Sequence, residues 1–295
     1  MLTLLALFAA VAAPEEIAVQ GLYEGTLGSD KVEARVVALG KAAYKVYLRI
    51  PKAGAVEKFE LDGKTEGEAV TFTGRIRDAE VKAAWSADRT IKGTGGLLLK
   101  RIERKSPTLG KKPPAGAVVL LDGRDFSQMT KSVEDDWKPA DDGSIQVPKK
   151  GMNSKQAFEG GFDFHVEFLN PFMPAARGQG RGNSGCYLPN GDEIQVLDSF
   201  GMDTYTGGGC GGIYKYKDPD AFDVFSLASL PPGEWQTYDV EYRVAGGKAR
   251  VTVLHNGVRI HNNFELEKPA RKGGFHFQDH GNPVRYRNIW VLPVK

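Results

Sequence analysis

Residues 182–199 (GNSGCYLPNGDEIQVLDS) contain the side chains of this 295-residue chain that are best suited to chemistry. Glu193, Gln195 and Asp198 place polar groups at positions i, i+2 and i+5 of an otherwise apolar stretch. In a β-strand, positions i and i+2 share a face about 7 Å apart, whereas i+5 lies on the other face unless a bulge adds a residue. The spacing predicts a strand that presents these polar groups together at an active site. The alternative is a structural strand whose outer face happens to be polar.

A second segment, residues 275–290 (FHFQDHGNPVRYRNIW), is dense in polar groups. It contains Gln278, Asp279, His280, Arg285 and Arg287. The turn sequence GNP predicts two strands, over 275–279 and 284–291, that meet at a polar tip. His280 at this tip is a candidate general base whose tautomer Asp279 or another carboxylate would fix. The alternative is a turn histidine followed by solvated guanidinium groups.

Strands, not helices, are predicted to position these groups. Apolar and polar residues alternate over 44–50, 162–168 and 238–244, which is typical of strands with one buried face. Asn256 and Gly257 separate two further strand-like stretches and predict a hairpin turn of type I′. The chain has 36 glycines and no long amphipathic pattern, so we predict an all-β protein built as an antiparallel sandwich.

The length of the chain suits two domains. The stretch SPTLGKKPPAGA, from residue 106 to residue 117, is rich in proline and glycine and breaks the strand pattern. We predict a Pro/Gly linker over 106–116, a smaller β-rich unit over 14–105 and a larger sandwich domain over 117–295.

The N-terminus carries the only long apolar run, LTLLALFAAVAA, over residues 2–13. A run of about 12 residues is too short to span a bilayer, which takes about 20. Ala10 and Ala12 give an A-x-A cleavage site, so residues 1–13 predict a signal peptide. The alternatives are a buried first strand and an uncleaved anchor. We expect an exported protein, periplasmic or extracellular, with no membrane span.

Cys186 and Cys210 are the two cysteines of the chain. In an exported protein such a pair is a disulfide candidate. The alternative is two buried thiols that act as small hydrophobic groups.

The charges nearly cancel, with 39 Lys and Arg against 37 Asp and Glu and a net charge of +2. Binding of duplex nucleic acid needs a concentrated basic face, so we expect no nucleic-acid partner. A nearly neutral protein suits a neutral sugar as its substrate. No oligomeric state is predicted.

The spacing of residues 193–198 resembles the E-x-D-x-x-E catalytic strand of laminarinase-type glycoside hydrolases, which are concanavalin-like β-sandwiches. Here Gln195 replaces the middle acid and Asp198 the last one. A retaining glycosidase needs two carboxyl groups about 5–5.5 Å apart. The replacements therefore disfavour that reaction on an unoxidised glucan.

The chain from about residue 117 to residue 294 resembles the 3-keto-disaccharide hydrolase family, also called 3-keto-glucoside lyase/hydrolases. Six blocks carry the resemblance in order: LLDGRDF (120–126), GNSGCYLP (182–189), EIQVLDSFG (193–201), CGGIYK (210–215), PPGEWQTYDV (231–240) and FQDHGNPVRYRNIW (277–290). The preceding unit and linker resemble, more loosely, the leader of secreted planctomycete members. The resemblance implies a concanavalin A-like lectin/glucanase sandwich and cleavage of 3-keto-glycosides or 3-keto-disaccharides.

A ketone at C3 of a glycoside acidifies the proton on C2. Removal of that proton expels the anomeric substituent, and water then adds to complete a net hydrolysis. The enzyme needs a base near C2, a group that polarises the C3 oxygen and an acid for the leaving group. It needs no carboxylate nucleophile, which agrees with the presence of Gln195.

The motifs supply candidates for each role. Glu193 or His280 is the predicted base, and Asp198 an acid or an orienting group. Asn183 and Gln195 are predicted hydrogen-bond donors to sugar hydroxyls or the ketone, and Arg287 would steady the enolate. Further candidate substrate contacts are Gln278 and Arg285, with Tyr187 and Trp235 as stacking rings; the alternative for Trp235 is a buried core residue.

Metal binding is a separate hypothesis. Glu193, Asp198 and His280 could hold a divalent ion, calcium or another, that polarises the ketone. The sequence has no diagnostic metal spacing, and no other cofactor is predicted. The alternative to an enzyme is a non-catalytic, lectin-like carbohydrate-binding module, because this fold serves both functions.

Overall fold

The computed structural model describes residues 15–123, 125–131, 139–220 and 228–294, so the predicted signal peptide lies outside the described residues. The described part is built almost entirely from strands and divides into two compact units after Ile102. Within these ranges no helix has the length and apolar character needed to cross a membrane.

The first unit is a closed barrel in which each strand pairs antiparallel with the next and the eighth pairs with the first. A single helical turn, α1 (Glu16–Val19), precedes it. The strands are β1 (Gly21–Leu27), β2 (Asp30–Gly40), β3 (Ala43–Lys52), β4 (Ala55–Glu66), β5 (Ala69–Ile76), β6 (Ala79–Ser86), β7 (Thr90–Gly93) and β8 (Leu97–Ile102). The alternation over 44–50 is confirmed, because every second residue of β3 from Tyr44 to Ile50 is buried.

The second unit is a sandwich of two sheets. Its strands are β9 (Val118–Leu121), β10 (Met129–Lys131), β11 (Ile145–Gln146), β12 (Met152–Ser154), β13 (Gly161–Leu169), β14 (Ser184–Tyr187), β15 (Glu193–Val196), β16 (Trp235–Ala245), β17 (Lys248–His255), β18 (Val258–Glu265), β19 (His276–Phe277) and β20 (Arg285–Val294). The five-stranded sheet has the order β10-β12-β19-β14-β15. The seven-stranded sheet has the order β11-β20-β13-β16-β17-β18, and β9 also pairs with β20. The predicted all-β sandwich is confirmed.

The core lies between the two sheets and is rich in aromatic rings. Phe162 on β13 stacks on Tyr242 of β16, with ring centroids 4.5 Å apart. Phe164 reaches across to Phe277 of the five-stranded sheet, with centroids 6.3 Å apart. The alternation predicted over 162–168 and 238–244 is therefore confirmed, and its apolar side joins the two sheets.

The hairpin predicted at Asn256 and Gly257 is also confirmed. Both residues have positive φ, 51° and 80°, and they connect β17 to β18. A type I′ turn needs positive φ at both central positions, which Asn and Gly tolerate best.

The strands predicted at 275–279 and 284–291 do not pair with each other. Instead, β19 lies in the five-stranded sheet and β20 in the seven-stranded sheet. The backbone N–H of Gln278 still bonds Gly185 of the first sheet, at 2.9 Å, whereas Val284 accepts from Val147 beside the second. The GNP turn therefore carries the chain from one sheet to the other.

The predicted linker belongs to the second unit and packs on the outer face of its seven-stranded sheet. Ser106 Oγ lies 2.6 Å from Thr237 Oγ1, and Thr108 Oγ1 donates to Asp239 at 2.5 Å. The backbone N–H of Gly110 donates to Glu167. This segment is a fixed strap over the sheet, because three of its polar groups bond strand side chains.

Candidate functional site

A row of polar side chains crosses the outer face of the five-stranded sheet. The register aligns Thr130, Asn153, His276, Tyr187 and Glu193 across β10, β12, β19, β14 and β15. Directly opposed residues of antiparallel strands share a face. The neighbouring residues along these strands point into the core, so the row forms the floor of a candidate site on the other side of the sheet.

Glu193 is buried, with 5% of its surface exposed. Its carboxyl group lies over Gly185 of β14, where a Cβ would come within 2.0 Å of Glu193 Oε1. The absence of a side chain at residue 185 therefore creates the space that the carboxyl group fills.

Burial raises the pKa of Glu193 to about 7, although a hydrogen bond from Tyr187 and the charges of Lys268 and Lys215 lower it. A carboxyl group that titrates near neutral pH can both take up and release a proton there. Glu193 is thus the site residue best suited to acid–base chemistry, in agreement with one of the two predicted bases.

Tyr187 connects Glu193 to the rest of the row. Its hydroxyl hydrogen-bonds the Glu193 carboxyl group and accepts a 3.4 Å bond from Gln278 Nε2. Its ring lies 5.3 Å from the ring of His276. Burial raises the pKa of Tyr187 above its usual value, so the hydroxyl keeps its proton at neutral pH.

His276, not His280, is the histidine of the row. Its Nδ1 lies 2.9 Å from Asn153 Oδ1, and burial lowers its pKa, so the neutral ring donates to Asn153. The apolar–polar alternation of FHF would have indicated this side chain, which faces away from the core residues Phe275 and Phe277. His280 lies in the exposed turn beyond β19.

Three amide side chains form a cluster beside Glu193. Gln179 Oε1 accepts from Asn183 Nδ2 and from Gln195 Nε2, each at 3.0 Å. Gln179 Nε2 in turn donates to the carbonyl of Gly208 at 2.9 Å. The predicted donor groups of Asn183 and Gln195 are therefore occupied within the protein. Gln179 was not predicted because it lies outside the strand patterns.

Two tyrosines stand next to this cluster. The hydroxyls of Tyr205 and Tyr214 are 2.9 Å apart, and the Tyr214 backbone N–H donates to the Glu193 carbonyl at 3.0 Å. The Tyr205 ring lies against Gly208, where a Cβ would approach it to 2.7 Å. This contact joins the tyrosine pair to the amide cluster.

Asp198 forms a buried ion pair with Arg181. It follows β15, and its Oδ2 accepts from Nε of the fully buried Arg181 at 2.7 Å. Burial raises the pKa of Asp198, and the guanidinium group opposes that shift. Arg181 Nη1 also donates to the Pro174 carbonyl at 3.0 Å. The ion pair thus fixes the loop that carries Gln179.

The hypothesis of a divalent metal held by Glu193, Asp198 and His280 has no support in this geometry. Asp198 is engaged with Arg181, and His280 is exposed. Among the described residues, no group of three His, Cys, Asp or Glu side chains is placed to hold an ion.

Arg285, Arg287 and Trp235 lie on the opposite side of the sandwich. Between the two arginines on β20, Tyr286 points inward and its hydroxyl lies 2.6 Å from Ser184 Oγ of the five-stranded sheet. Arg287 therefore faces outward, with Cζ 4.0 Å from the Trp235 ring. The structure does not bring these three side chains together with Glu193, because alternation along β20 and β16 directs them to the other face of the sandwich.

A second polar cluster occupies that outer face beneath the strap. His165 Nδ1 lies 2.9 Å from Asp239 Oδ1, and Glu167 accepts from Arg287 Nε at 2.7 Å. A bulge at Asn288, whose φ is 46°, brings its side-chain amide onto Glu167 at 2.9 Å. The strap covers these groups, which makes them a structural cluster.

The two cysteines are free thiols in the structure, so the candidate disulfide is not formed there. Both are buried in the sandwich core, where Cys210 Sγ lies 3.1 Å from the Tyr238 hydroxyl. Burial raises the pKa of Cys210 to about 11. This environment agrees with the alternative of two buried thiols.

Comparison with known proteins identifies relatives of the sandwich unit. Residues 116–292 match a family described as the 3-keto-alpha-glucoside-1,2-lyase-like domain. The crystal structure of a predicted glycosyl hydrolase from Parabacteroides distasonis is 34% identical, with a TM-score of 0.54, over 61% of this chain and 85% of that chain. The structure of xylan beta-1,4-xylosidase from Bacillus halodurans is 10% identical over 93% of this chain and 64% of that chain, and its TM-score of 0.34 is too low to indicate a shared fold.

A search of curated proteins returned no match. The first two findings confirm the resemblance carried by the six sequence blocks, and they support a glycosidase-type enzyme.

Proposed function

Because the chain belongs to the family of 3-keto-alpha-glucoside-1,2-lyase-like domains, we propose that it cleaves 3-keto-glycosides, including 3-keto-disaccharides, by elimination followed by hydration. The observation that carries the proposal is the buried carboxyl group of Glu193, whose pKa of about 7 suits proton abstraction at neutral pH.

In the first step, the Glu193 carboxylate takes the proton from C2 of the sugar. The electrons of the C2–H bond form an enolate with the C3 carbonyl. Collapse of the enolate restores the ketone, forms the C1=C2 double bond and breaks the C1–O bond to the leaving group. The proton on Glu193 passes to the departing oxygen, so one carboxyl group serves as base and then as acid. Water adds across the double bond, with its hydroxyl at C1 and a proton at C2.

The neighbours of Glu193 support these steps. The Tyr187 hydroxyl stabilises the carboxylate through its hydrogen bond. Gln278 Nε2 makes only a long 3.4 Å bond to that hydroxyl, and its N–H is the donor we assign to the C3 ketone oxygen. A preorganised donor at this oxygen stabilises the enolate that forms when C2 loses its proton.

A double-displacement glycosidase mechanism is less well supported. It requires a second carboxyl group about 5–5.5 Å from the first. Gln195 stands two residues from Glu193 on the same strand, and Asp198 is held by Arg181. Neither supplies a nucleophilic carboxylate.

The apolar run at residues 2–13 supports export of the enzyme to the periplasm or the medium.

The test is incubation of the full chain with a methyl 3-keto-glucoside and a 3-keto-disaccharide in D2O. We expect release of the aglycone and one deuterium at C2 of the product, beyond the exchange seen without enzyme. Glu193→Gln should lower the rate by about 10²–10⁴-fold. Release with C2 protium retained, or no release from either substrate, would overturn the proposal. Sugar binding that Glu193→Gln leaves intact, without turnover, would indicate a lectin.

A further inference from the structure

We infer that Gln179 turns Asn183 and Gln195 so that the site offers a pair of hydrogen-bond acceptors to two hydroxyl groups of the substrate sugar. This inference rests on the proposed function, because it assumes that a sugar binds beside Glu193 on the outer face of the five-stranded sheet. It makes Gln179 a positioning residue and the two amide oxygens determinants of specificity.

The orientation of the cluster starts at Gly208. The carbonyl of Gly208 can only accept, so the side chain of Gln179 presents Nε2 to it and directs Oε1 to the other side. That single oxygen then accepts from both Asn183 and Gln195. Both amide NH2 groups are drawn to the same point, and their carbonyl oxygens must face elsewhere.

Those two oxygens are buried and have no protein partner in the part of the chain that the structure describes. Asn183 Oδ1 and Gln195 Oε1 belong to side chains that are each only 1% exposed. A buried acceptor without a partner costs about 1–3 kcal/mol. A ligand that donates a hydrogen bond to each oxygen would remove this cost.

The chemistry of an acceptor pair selects the part of the sugar that it binds. A hydroxyl group can donate to an amide oxygen, whereas a ketone oxygen has no proton to give. The pair therefore binds hydroxyls and rejects the C3 ketone. This preference directs the ketone away from the amide cluster and fixes the orientation in which the sugar meets Glu193.

The support around the cluster is rigid enough for such discrimination. Arg181 is fully buried and donates hydrogen bonds to Asp198 and to the Pro174 carbonyl. Pro174 lies in the segment of the loop that precedes Gln179 in the sequence. The backbone N–H of Asn183 also donates to Asn282 Oδ1 at 2.7 Å. The end of the loop next to β14 is thus tied to the segment after β15 and to the turn before β20.

The experiment measures binding of methyl α-glucopyranoside and its 4-deoxy and 6-deoxy analogues by calorimetric titration. These sugars are not oxidised at C3, so their Kd values do not depend on elimination. We expect at least one analogue to bind the wild type about 10-fold or more weakly than the parent sugar, because it leaves an acceptor unpaired. Gln179→Met, which keeps the size but removes the acceptor, should weaken parent binding and abolish the difference between parent and analogue.

Gln156→Met is the matched control, since Gln156 is exposed and its substitution should change no Kd. Equal affinity of the wild type for all three sugars, no binding of the parent, or full discrimination in Gln179→Met would overturn the inference. Calcium that binds the wild type and competes with the sugar would also overturn it. If the sugars behave as expected but 3-keto-glycosides are not cleaved, the proposed function fails and the acceptor pair stands.

Discussion

The Glu193 carboxyl group and a side chain at residue 185 exclude each other. Gly185 stands opposite Gln195 in the β14–β15 pair, and a Cβ on it would lie 2.0 Å from Glu193 Oε1. The strand pair therefore holds its buried acid in a recess made by one missing methyl group.

Gly185→Ala should displace the Glu193 carboxyl group and lower kcat/KM by about 10²-fold, because misplacement of a catalytic group by about 1 Å has an effect of that size. The measurement is the rate on a 3-keto-glucoside, with circular dichroism to verify folding. Gly180→Ala is the glycine control, since its added methyl group meets nothing within 4 Å. Equal rates for wild type and Gly185→Ala would contradict the placement of Glu193.

The rate should depend on pH through the ionisation of Glu193. The carboxylate is the reactive base, so kcat/KM should rise as pH increases through about 7 and then level off. In Tyr187→Phe the hydrogen bond that lowers the pKa of Glu193 is lost, so the rising limb should move to higher pH. A limb that stays in place, or moves to lower pH, would show that Glu193 is not the group observed.

The Arg181–Asp198 pair should contribute to stability. Asp198→Ala leaves a buried guanidinium group without its counterion, which costs about 3–5 kcal/mol of unfolding free energy. Urea denaturation measures the change. Asp220→Ala, which breaks an exposed pair with Lys217, should cost about 1 kcal/mol or less. A similar small loss for Asp198→Ala would refute the positioning role of the pair.

Acid should weaken the cluster beneath the strap. Burial raises the pKa of Glu167, but the ion-pair contact with His165 and hydrogen bonds from Asn288 and Arg287 lower it by more, from its usual 4.5 to about 2. A lowered folded-state pKa stabilises the protein above pH 4.5, by about 3 kcal/mol at most, and this contribution fades as pH falls towards 2.

The pKa of His165 is shifted the other way. Burial lowers it, yet the hydrogen bond to Asp239 and the ion-pair contact with Glu167 raise it overall. The contribution of His165 to stability is therefore full below pH 6.5 and is lost as pH rises through the folded-state pKa. The difference in Tm between wild type and Glu167→Gln should therefore be largest between about pH 4.5 and 6.5 and shrink below pH 4. A difference independent of pH would contradict this assignment.

Arg287 and Trp235 lie on the side of the sandwich opposite Glu193, so we expect a substitution there to leave the catalytic rate almost unchanged. Trp235→Ala removes the ring beneath the guanidinium group and should lower Tm. We expect its kcat/KM to stay within about 3-fold of wild type, because the ring faces away from Glu193 and distant sites without shared partners couple by only about 0.5 kcal/mol. A loss of 100-fold in a folded variant would return Trp235 to the substrate site.

Local rules predicted much of this fold. Alternation in 162–168 and 238–244 identified strands because each has one face in the core, and Asn256-Gly257 identified its turn because few residues accept positive φ. The strand position of Glu193, one of the two predicted bases, was also correct. These inferences needed only neighbours in sequence.

The errors arose where distant segments decide the outcome. Nothing local shows that the turn at 281–283 changes sheets, so the sequence places Arg285 and Arg287 with the other predicted substrate contacts. The missing partner in each case is far along the chain: Ser184 beneath Tyr286, and Asn153 beside His276. The direction of the Gln195 amide likewise depends on Gln179, in a loop without strand periodicity.

The position of β20 has a consequence for synthesis of the chain. All eight barrel strands are available once residue 102 has left the ribosome, and each pairs with a neighbour in sequence apart from the closing β1–β8 pair. The seven-stranded sheet, in contrast, has β20 between β11 and β13, so β9 and β11 cannot join the other strands until residues 285–294 emerge. Chains generally fold from the N-terminus as they are made. The barrel should therefore be complete while the sandwich still exposes the unpaired edges of β11 and β13 to chaperones.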